Sequence, residues 1–272
     1  MREVTQEQVA ETLAQLGIQP GDGLLVHSAV QFLGRPAGGL QIYLDALLDT
    51  IGSSGTLVVP TFNFDFTQGV PYDPAQTPSR DMGAFSEFVR LQPQARRTLH
   101  PMQSIAAIGC HAEDLAFRDT PSAFGPGSAF ERMLELDFKL LLLGADARAV
   151  SMFHYCEQRC NVPYRYWKEF SGQVRTAAGW QTRAYQLYVR HQIMQGEARL
   201  QPELTLDPVV EWMQARRQWR SLPLNYGSLT TCRLRAFVAA VDRFLTEDPW
   251  SLVTNARVLP DGSFEILPQP EV

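Results

Sequence analysis

Leu24-Leu-Val-His-Ser28, the stripe Leu40, Tyr43, Leu44, Leu47, Leu48 and Ile51, and then Thr56-Leu-Val-Val-Pro-Thr61 follow one another in the order strand, helix, strand. The first run is entered from a Pro-Gly-Asp-Gly turn and is apolar at successive positions, which suits a strand buried on both faces. The stripe repeats at helical spacing and is closed by Gly52. The alternation returns as a helix around Met82 to Leu91, a strand around Ser104 to Ile108 and the run Phe138-Lys-Leu-Leu-Leu-Leu-Gly144. An α/β fold with a mostly parallel central sheet and helices on both faces is predicted.

Upstream, Thr5 to Leu16 reads as a helix, with Thr5 as cap, Gln8 as its capping-box partner and Gly17 as the stop. Downstream, Val162 to Leu206 breaks the pattern. Gln173-Val-Arg-Thr, a turn at Ala178-Gly179 and the partial alternation of Gln181 to His191 predict an antiparallel hairpin, inserted as a small subdomain over residues 162–206. Helices are expected again at Asp207 to Trp219 and at Ser228 to Thr246, the latter carrying the stripe Leu234, Phe237, Val241, Phe244 and Leu245.

The chain has 272 residues, 45% hydrophobic and 19% charged. At ~150 residues per domain this length leaves one or two domains open, and a single α/β domain over 1–272 is the reading adopted. A formal charge of −5 gives no electrostatic reason to expect nucleic acid as a partner, while tolerating a cationic substrate. The first residues carry no apolar leader core and no later run approaches the ~18 apolar residues of a membrane span, so no membrane association and a cytoplasmic location are expected. Cys110, Cys156, Cys160 and Cys232 are too irregularly spaced for a disulfide framework, and reduced thiols are expected.

In open α/β sheets ligands collect beyond the carboxyl ends of the strands. Here those ends carry His27-Ser28, Thr61-Phe62 and Gly144-Ala-Asp146, and a short loop leads on to Ser151-Met-Phe-His154-Tyr-Cys-Glu157. Ser151 is read as the cap of a helix that sets His154 in its first turn and Glu157 on the same face. A carboxylate raises the basicity of an adjacent imidazole, whereas burial and the positive helix end lower it, so His154 can serve as a base near neutral pH. A hydrogen-bonded core histidine beside a solvated glutamate fits the same spacing, and the residues alone leave both readings open.

Pro101 pushes His100 out of helical geometry. Phe124-Gly-Pro-Gly-Ser128 offers a backbone that can approach a ligand or simply open a helix, with Ser128 as cap. It lacks a P-loop lysine and the dinucleotide spacing. Arg80 sits in a loop before a helix, placed for an anion or for solvent. Cys156 and Cys160 lie one turn apart, but His154 points elsewhere from Cys156, so no metal is expected. Arg216, Arg217 and Arg220 read as a solvated helix face.

Taken together, these segments resemble the aminoglycoside 3-N-acetyltransferase family, whose members use acetyl-CoA. The resemblance is carried by Leu24-Leu-Val-His-Ser-Ala29, Gly55-Thr-Leu-Val-Val-Pro-Thr-Phe62, Tyr72-Asp-Pro-Ala-Gln-Thr-Pro-Ser-Arg80 with Met82-Gly83, Ala95-Arg-Arg-Thr-Leu-His-Pro101, Ser104-Ile-Ala-Ala-Ile-Gly109, Phe124-Gly-Pro-Gly-Ser128 and Leu141-Leu-Leu-Gly144, in the family's order. Ser151-Met-Phe-His154-Tyr-Cys-Glu157 stands where the family has Thr-x-x-His-x-x-Glu, and a weaker likeness runs from Tyr226 to Phe244. The resemblance implies a three-layer α/β/α sandwich, His154 as the catalytic histidine, Glu157 as its orienting carboxylate and Ser151 as the family's hydroxyl. It implies an acetyl-CoA cleft of His27, Ser28, Thr61, Arg80, Met82, His100, Ser104, Phe124, Gly125 and Ser128.

The departure from the family lies in Val162-Pro-Tyr-Arg-Tyr-Trp-Lys-Glu169, where aromatics and two cations replace the carboxylates that a polycationic substrate would need. Tyr164, Arg165, Lys168 and Glu169 are taken as substrate-binding candidates, and an acceptor with a carboxylate or phosphate suits the cations better. The expected reaction is acetyl transfer from acetyl-CoA to a primary amine of a small molecule, such as an amino sugar, an aminoglycoside-like compound or an amino-acid-like metabolite. Two other readings stay in play: an acyl-enzyme transferase with Cys156 as nucleophile, and a CoA- or metabolite-binding protein without turnover. The hairpin can serve as an acceptor wall or as the contact of a homodimer.

Overall fold

The computed structural model describes residues 2–195 and 198–268. Strand Gly23–Ser28 lies inside a seven-stranded sheet, and its successive side chains feed two different cores. Leu24 and Val26 point into one cluster and Leu25 into the other, all fully buried. Leu57 and Val59 part from Val58 in the same way, as do Leu141 and Leu143 from Leu140 and Leu142. A period of two with both faces covered is why these runs are continuously apolar. Each such leucine stabilises the fold by roughly 1.5–3 kcal/mol through burial.

In spatial order the sheet runs Arg220–Leu224, Gly227–Arg233, Lys139–Leu143, Gly23–Ser28, Thr56–Pro60, Ile105–Gly109, Arg96–Arg97. Only the pairings of Gly23–Ser28 with Thr56–Pro60 and with Lys139–Leu143 are parallel. The four outer pairings are antiparallel, so the sheet is mixed and parallel only at its centre. This corrects the mostly parallel expectation. After Thr56–Pro60 the chain passes through helix Ala84–Arg90, joins the sheet edge as Arg96–Arg97 and turns back as Ile105–Gly109, antiparallel to both.

On one face lie α1 (Gln6–Gln15), α2 (Gln41–Ile51) and α3 (Ala84–Arg90), whose apolar residues join the Leu24 cluster. The Thr5 hydroxyl accepts the Gln8 N–H at 3.2 Å and the Gln8 side chain accepts the Thr5 N–H at 3.0 Å, closing the capping box. On the other face lie α4 (Ala112–Ala116), α5 (Ala129–Glu135), α6 (Met152–Arg159), α7 (Asp207–Ala215) and α8 (Leu234–Glu247), joining the Leu25 cluster. The expected helix from Ser228 begins only at Leu234, because Gly227–Arg233 is a strand with Thr230 and Thr231 in it.

Strands Arg165–Thr176 and Gly179–Arg190 form an antiparallel hairpin of twelve residues a side. Its inner face rests on a separate small core in which Val174, Tyr185 and Leu187 pack against Phe66, Tyr72 and Met102. Tyr72 also pairs with the backbone of Val174, which pins the hairpin beside the carboxyl ends of the central strands. Among the described residues no helix is long and apolar enough to cross a membrane.

Candidate active site

Eight residues separate the end of strand Lys139–Leu143 from Met152, where helix α6 starts. Ser151 is itself in helical conformation, φ −65° and ψ −26°, and makes no side-chain cap bond. The expected cap is therefore absent: the backbone N–H of Ser151 goes instead to His27 Nε2 at 2.6 Å. An imidazole that accepts at Nε2 carries its proton on Nδ1. Burial holds His27 in that neutral form, lowering its pKa from 6.5 to about 4.

Three residues further on, His154 Nδ1 stands 2.7 Å from Glu157 Oε2. The same oxygen is 2.7 Å from Arg165 Nη2, at the start of the hairpin. Arg165 also donates from Nη1 to the Tyr188 carbonyl at 2.8 Å. Glu157 is fully buried, which alone would raise its pKa, yet the Arg165 guanidinium and the hydrogen bond from His154 outweigh burial and hold the carboxyl below its usual range. Burial lowers His154, Glu157 partly offsets this, and the net shift is downward. The downward shift favours the neutral imidazole, and an ionised Glu157 beside Nδ1 selects the tautomer that donates Nδ1–H to it and leaves a lone pair on Nε2. Phe124 meets the ring edge-on at a centroid distance of 5.6 Å.

Two clefts meet at this imidazole. The first, about 370 Å³, is lined by His27, Ser28, Pro60, Phe62, Met82, Gly83 and Ser151 among others. The second, about 490 Å³, is walled by the hairpin through Arg165, Tyr166, Lys168, Phe170 and Leu187. Phe64, Gln103, His154 and Arg190 border both. Along the first cleft Ser28 Oγ, Ser151 Oγ and His27 Nδ1 are buried and have no hydrogen-bond partner among the described residues. Unpaired polar atoms beside Pro60, Phe62 and Met82 suit a mostly apolar ligand with a few polar groups.

The remaining expected residues lie outside the cleft walls. Thr61 and Ser104 bond each other at 3.0 Å and jointly hold Arg97 Nε. Arg80 pairs with Asp65 at 2.8 Å on the surface. His100 is buried, accepts the Gln103 N–H at 3.0 Å and lies edge-on to Tyr185, and burial lowers its pKa to about 4. Gly125 sits in a turn closed by its N–H to the Ser122 carbonyl, and Ser128 caps α5 by accepting the Glu131 N–H at 3.2 Å. Tyr164 is fully buried against Trp250, its phenol pushed up by burial and by Glu157. Glu169 is carried to the outer hairpin face beside Gln186.

Gln103 and Arg190 were not singled out from the sequence. Arg190 carries a readable signal only once the hairpin register is known, since it pairs across the ladder with Arg165. Cys156 is fully buried in the core and lines neither cleft, and burial pushes its thiol up. Among the described residues no group of three or more His, Cys, Asp or Glu side chains is arranged to hold a metal ion.

A family model described as aminoglycoside 3-N-acetyltransferase matches residues 25–246. Aminoglycoside N(3)-acetyltransferase III of a Salmonella species is 34% identical over 181 residues, which is 60% of this chain and 63% of that protein. Aminoglycoside N(3)-acetyltransferase VII of Streptomyces paromomycinus is 32% identical over 180 residues, 59% of this chain and 62% of that one. The chain thus spans about 63% of the length of the first of these relatives. Among solved structures, AAC-IIIb in binary complex with CoASH superposes with a TM-score of 0.79 at 25% identity, over 90% of this chain and 97% of that one.

Proposed function

The chain belongs to the aminoglycoside 3-N-acetyltransferase family, and on that premise we propose that it transfers an acetyl group from acetyl-CoA to a primary amine of a small molecule by direct attack. The observation that carries this reading is the imidazole of His154, held by Glu157 at 2.7 Å and bordering both clefts at once. The thioester arm is assigned to the first cleft and the amine to the second. One unit spanning 1–272 on a three-layer α/β/α frame performs the reaction, with segment 162–206 supplying the acceptor wall. Tyr166, Lys168, Phe170 and Leu187 support that assignment over a subunit contact, because all four face the second cleft.

The amine reacts as its free base: its lone pair attacks the thioester carbonyl carbon while His154 Nε2 takes one of its N–H protons. A C–N bond forms, the C–S bond breaks, and the departing thiolate takes the proton back from His154. Glu157 holds the Nδ1–H through the cycle and stabilises the transient imidazolium, while Arg165 keeps Glu157 ionised. Ser28 and Ser151, whose hydroxyls are unpartnered in the first cleft, are the side chains available to donate to the developing oxyanion. No acyl-enzyme is needed. Cys156 stands apart from the clefts, and a reading without turnover leaves the oriented histidine unexplained.

Thiol release from acetyl-CoA with a panel of primary amines tests the proposal. Amine-dependent release that is lost in His154→Ala and kept, without a burst, in Cys156→Ser supports it. An absence of release across amino sugars, aminoglycosides and amino acids overturns it in favour of a binding protein.

A further inference from the structure

We propose that the second cleft is shaped for an amine that also bears an anionic group, a carboxylate or a phosphate, and that it disfavours a polycation. This rests on the acetyl-transfer reading above. Among the described residues, the side chains on that wall with a full formal charge are all cations: Arg165, Lys168, Arg190 and Arg199. Arg165 is engaged by Glu157 at 2.7 Å. Among the described residues, the other three meet no carboxylate on the cleft wall.

Lys168 lies 5.1 Å above the Phe170 ring, on the hairpin face shared with Tyr166. Arg190 donates to the Pro202 carbonyl at 3.2 Å, and the carboxylates acting on it, Glu157 and Glu203, line neither cleft. Arg199 is hydrogen-bonded to the neutral amide of Gln192. Strand alternation removes Glu169 to the opposite face.

A polyammonium entering this cleft would meet like charges in a partly dehydrated space, whereas a carboxylate or phosphate gains charge-assisted, forked bonds from a guanidinium. Arg190 borders both clefts together with His154. An anion held there sets the amine of the same molecule beside the imidazole. Neighbouring cations also lower the pKa of a bound amine, which favours its reactive free base.

The test uses the full chain, acetyl-CoA and matched acceptors: glucosamine 6-phosphate against glucosamine, β-alanine against β-alanine amide, and sisomicin as the polycation. The expected result is that kcat/KM for the anionic member of at least one pair exceeds that of its neutral partner by about tenfold or more, the pair showing which anion is read. Lys168→Gln should raise KM for that acceptor about tenfold and cut the preference for the anionic member over its neutral partner by a similar factor. Equal turnover within both pairs, or faster turnover of sisomicin, overturns the inference while leaving acetyl transfer standing. A rise in KM for acetyl-CoA instead would assign the cations to the donor's phosphates and also overturn it. Thiol release with no amine at all, while calorimetry still registers acetyl-CoA binding, rejects the acetyl-transfer reading itself.

Discussion

The imidazole of His27 accepts the backbone N–H of Ser151 at 2.6 Å, tying the end of a central strand to the first turn of the helix that carries His154. This bond exists only while His27 is neutral. Its pKa falls from 6.5 to about 4 in the folded chain, so between those values the unfolded chain binds a proton that the folded chain does not. Stability therefore rises with pH across that window, by roughly 3 kcal/mol from this one group, and is lost as pH falls toward 4. His27→Gln, whose amide oxygen can accept the same N–H, should flatten that part of the profile. Denaturant unfolding at several pH values between 4 and 7 measures it, and an unchanged slope in the variant would refute the linkage.

His154→Ala should lower kcat by about 10² to 10⁴ with acetyl-CoA binding nearly unchanged, because the ring is proposed to move a proton and the first cleft otherwise stays intact. Near-normal turnover would remove His154 from the reaction. In the parent protein the acid limb of the rate profile should lie below the ordinary imidazole value, since burial lowers His154 more than Glu157 raises it. Glu157→Gln removes the raising influence and leaves the Arg165 cation in place, so the limb should move to still lower pH, with a loss of rate of about tenfold. A limb that moves upward would contradict the assigned electrostatics.

Arg165 offers the opposite perturbation of the same oxygen. Arg165→Met leaves Glu157 buried with its main counter-charge gone, a change that typically costs about 3–5 kcal/mol of stability. It also removes a cation that lowers His154, so the acid limb should move to higher pH. Paired melting and rate profiles distinguish this from simple loosening of the hairpin, which would lower stability without moving the limb.

The parts of this arrangement that sequence exposes are those set by local pattern. Strand Gly23–Ser28, the capping box of α1 and the i, i+3 spacing of His154 and Glu157 all follow from neighbouring residues. Strand direction does not, and Ile105–Gly109 reads the same whether it runs with or against Thr56–Pro60. The helix expected from Ser228 absorbed a strand because Leu229 to Arg233 adjoins a strong amphipathic stripe without a break by glycine or proline. The hairpin begins at Arg165, eight residues before its alternation becomes legible, because Tyr166, Lys168 and Phe170 mix aromatic and charged side chains on one face. Arg190 and Gln103 join the site only through tertiary register, which no local spacing encodes.

Gly83 gives a test of the first cleft that touches no ionisable group. Its φ is +82°, and a Cβ placed there would lie 2.8 Å from the Ser28 carbonyl oxygen and 3.3 Å from Ser28 Oγ. An alanine would thus carry both left-handed backbone strain and a clash with backbone at the cleft wall, which cannot swing aside as a long side chain can. Gly83→Ala should cost about 1–2 kcal/mol of stability from the strained conformation alone. If the thioester arm lies where proposed, displacement of Ser28 should also raise KM for acetyl-CoA severalfold while KM for the amine changes little. A variant that is destabilised but keeps its KM for acetyl-CoA would move the donor away from Ser28 and the first cleft.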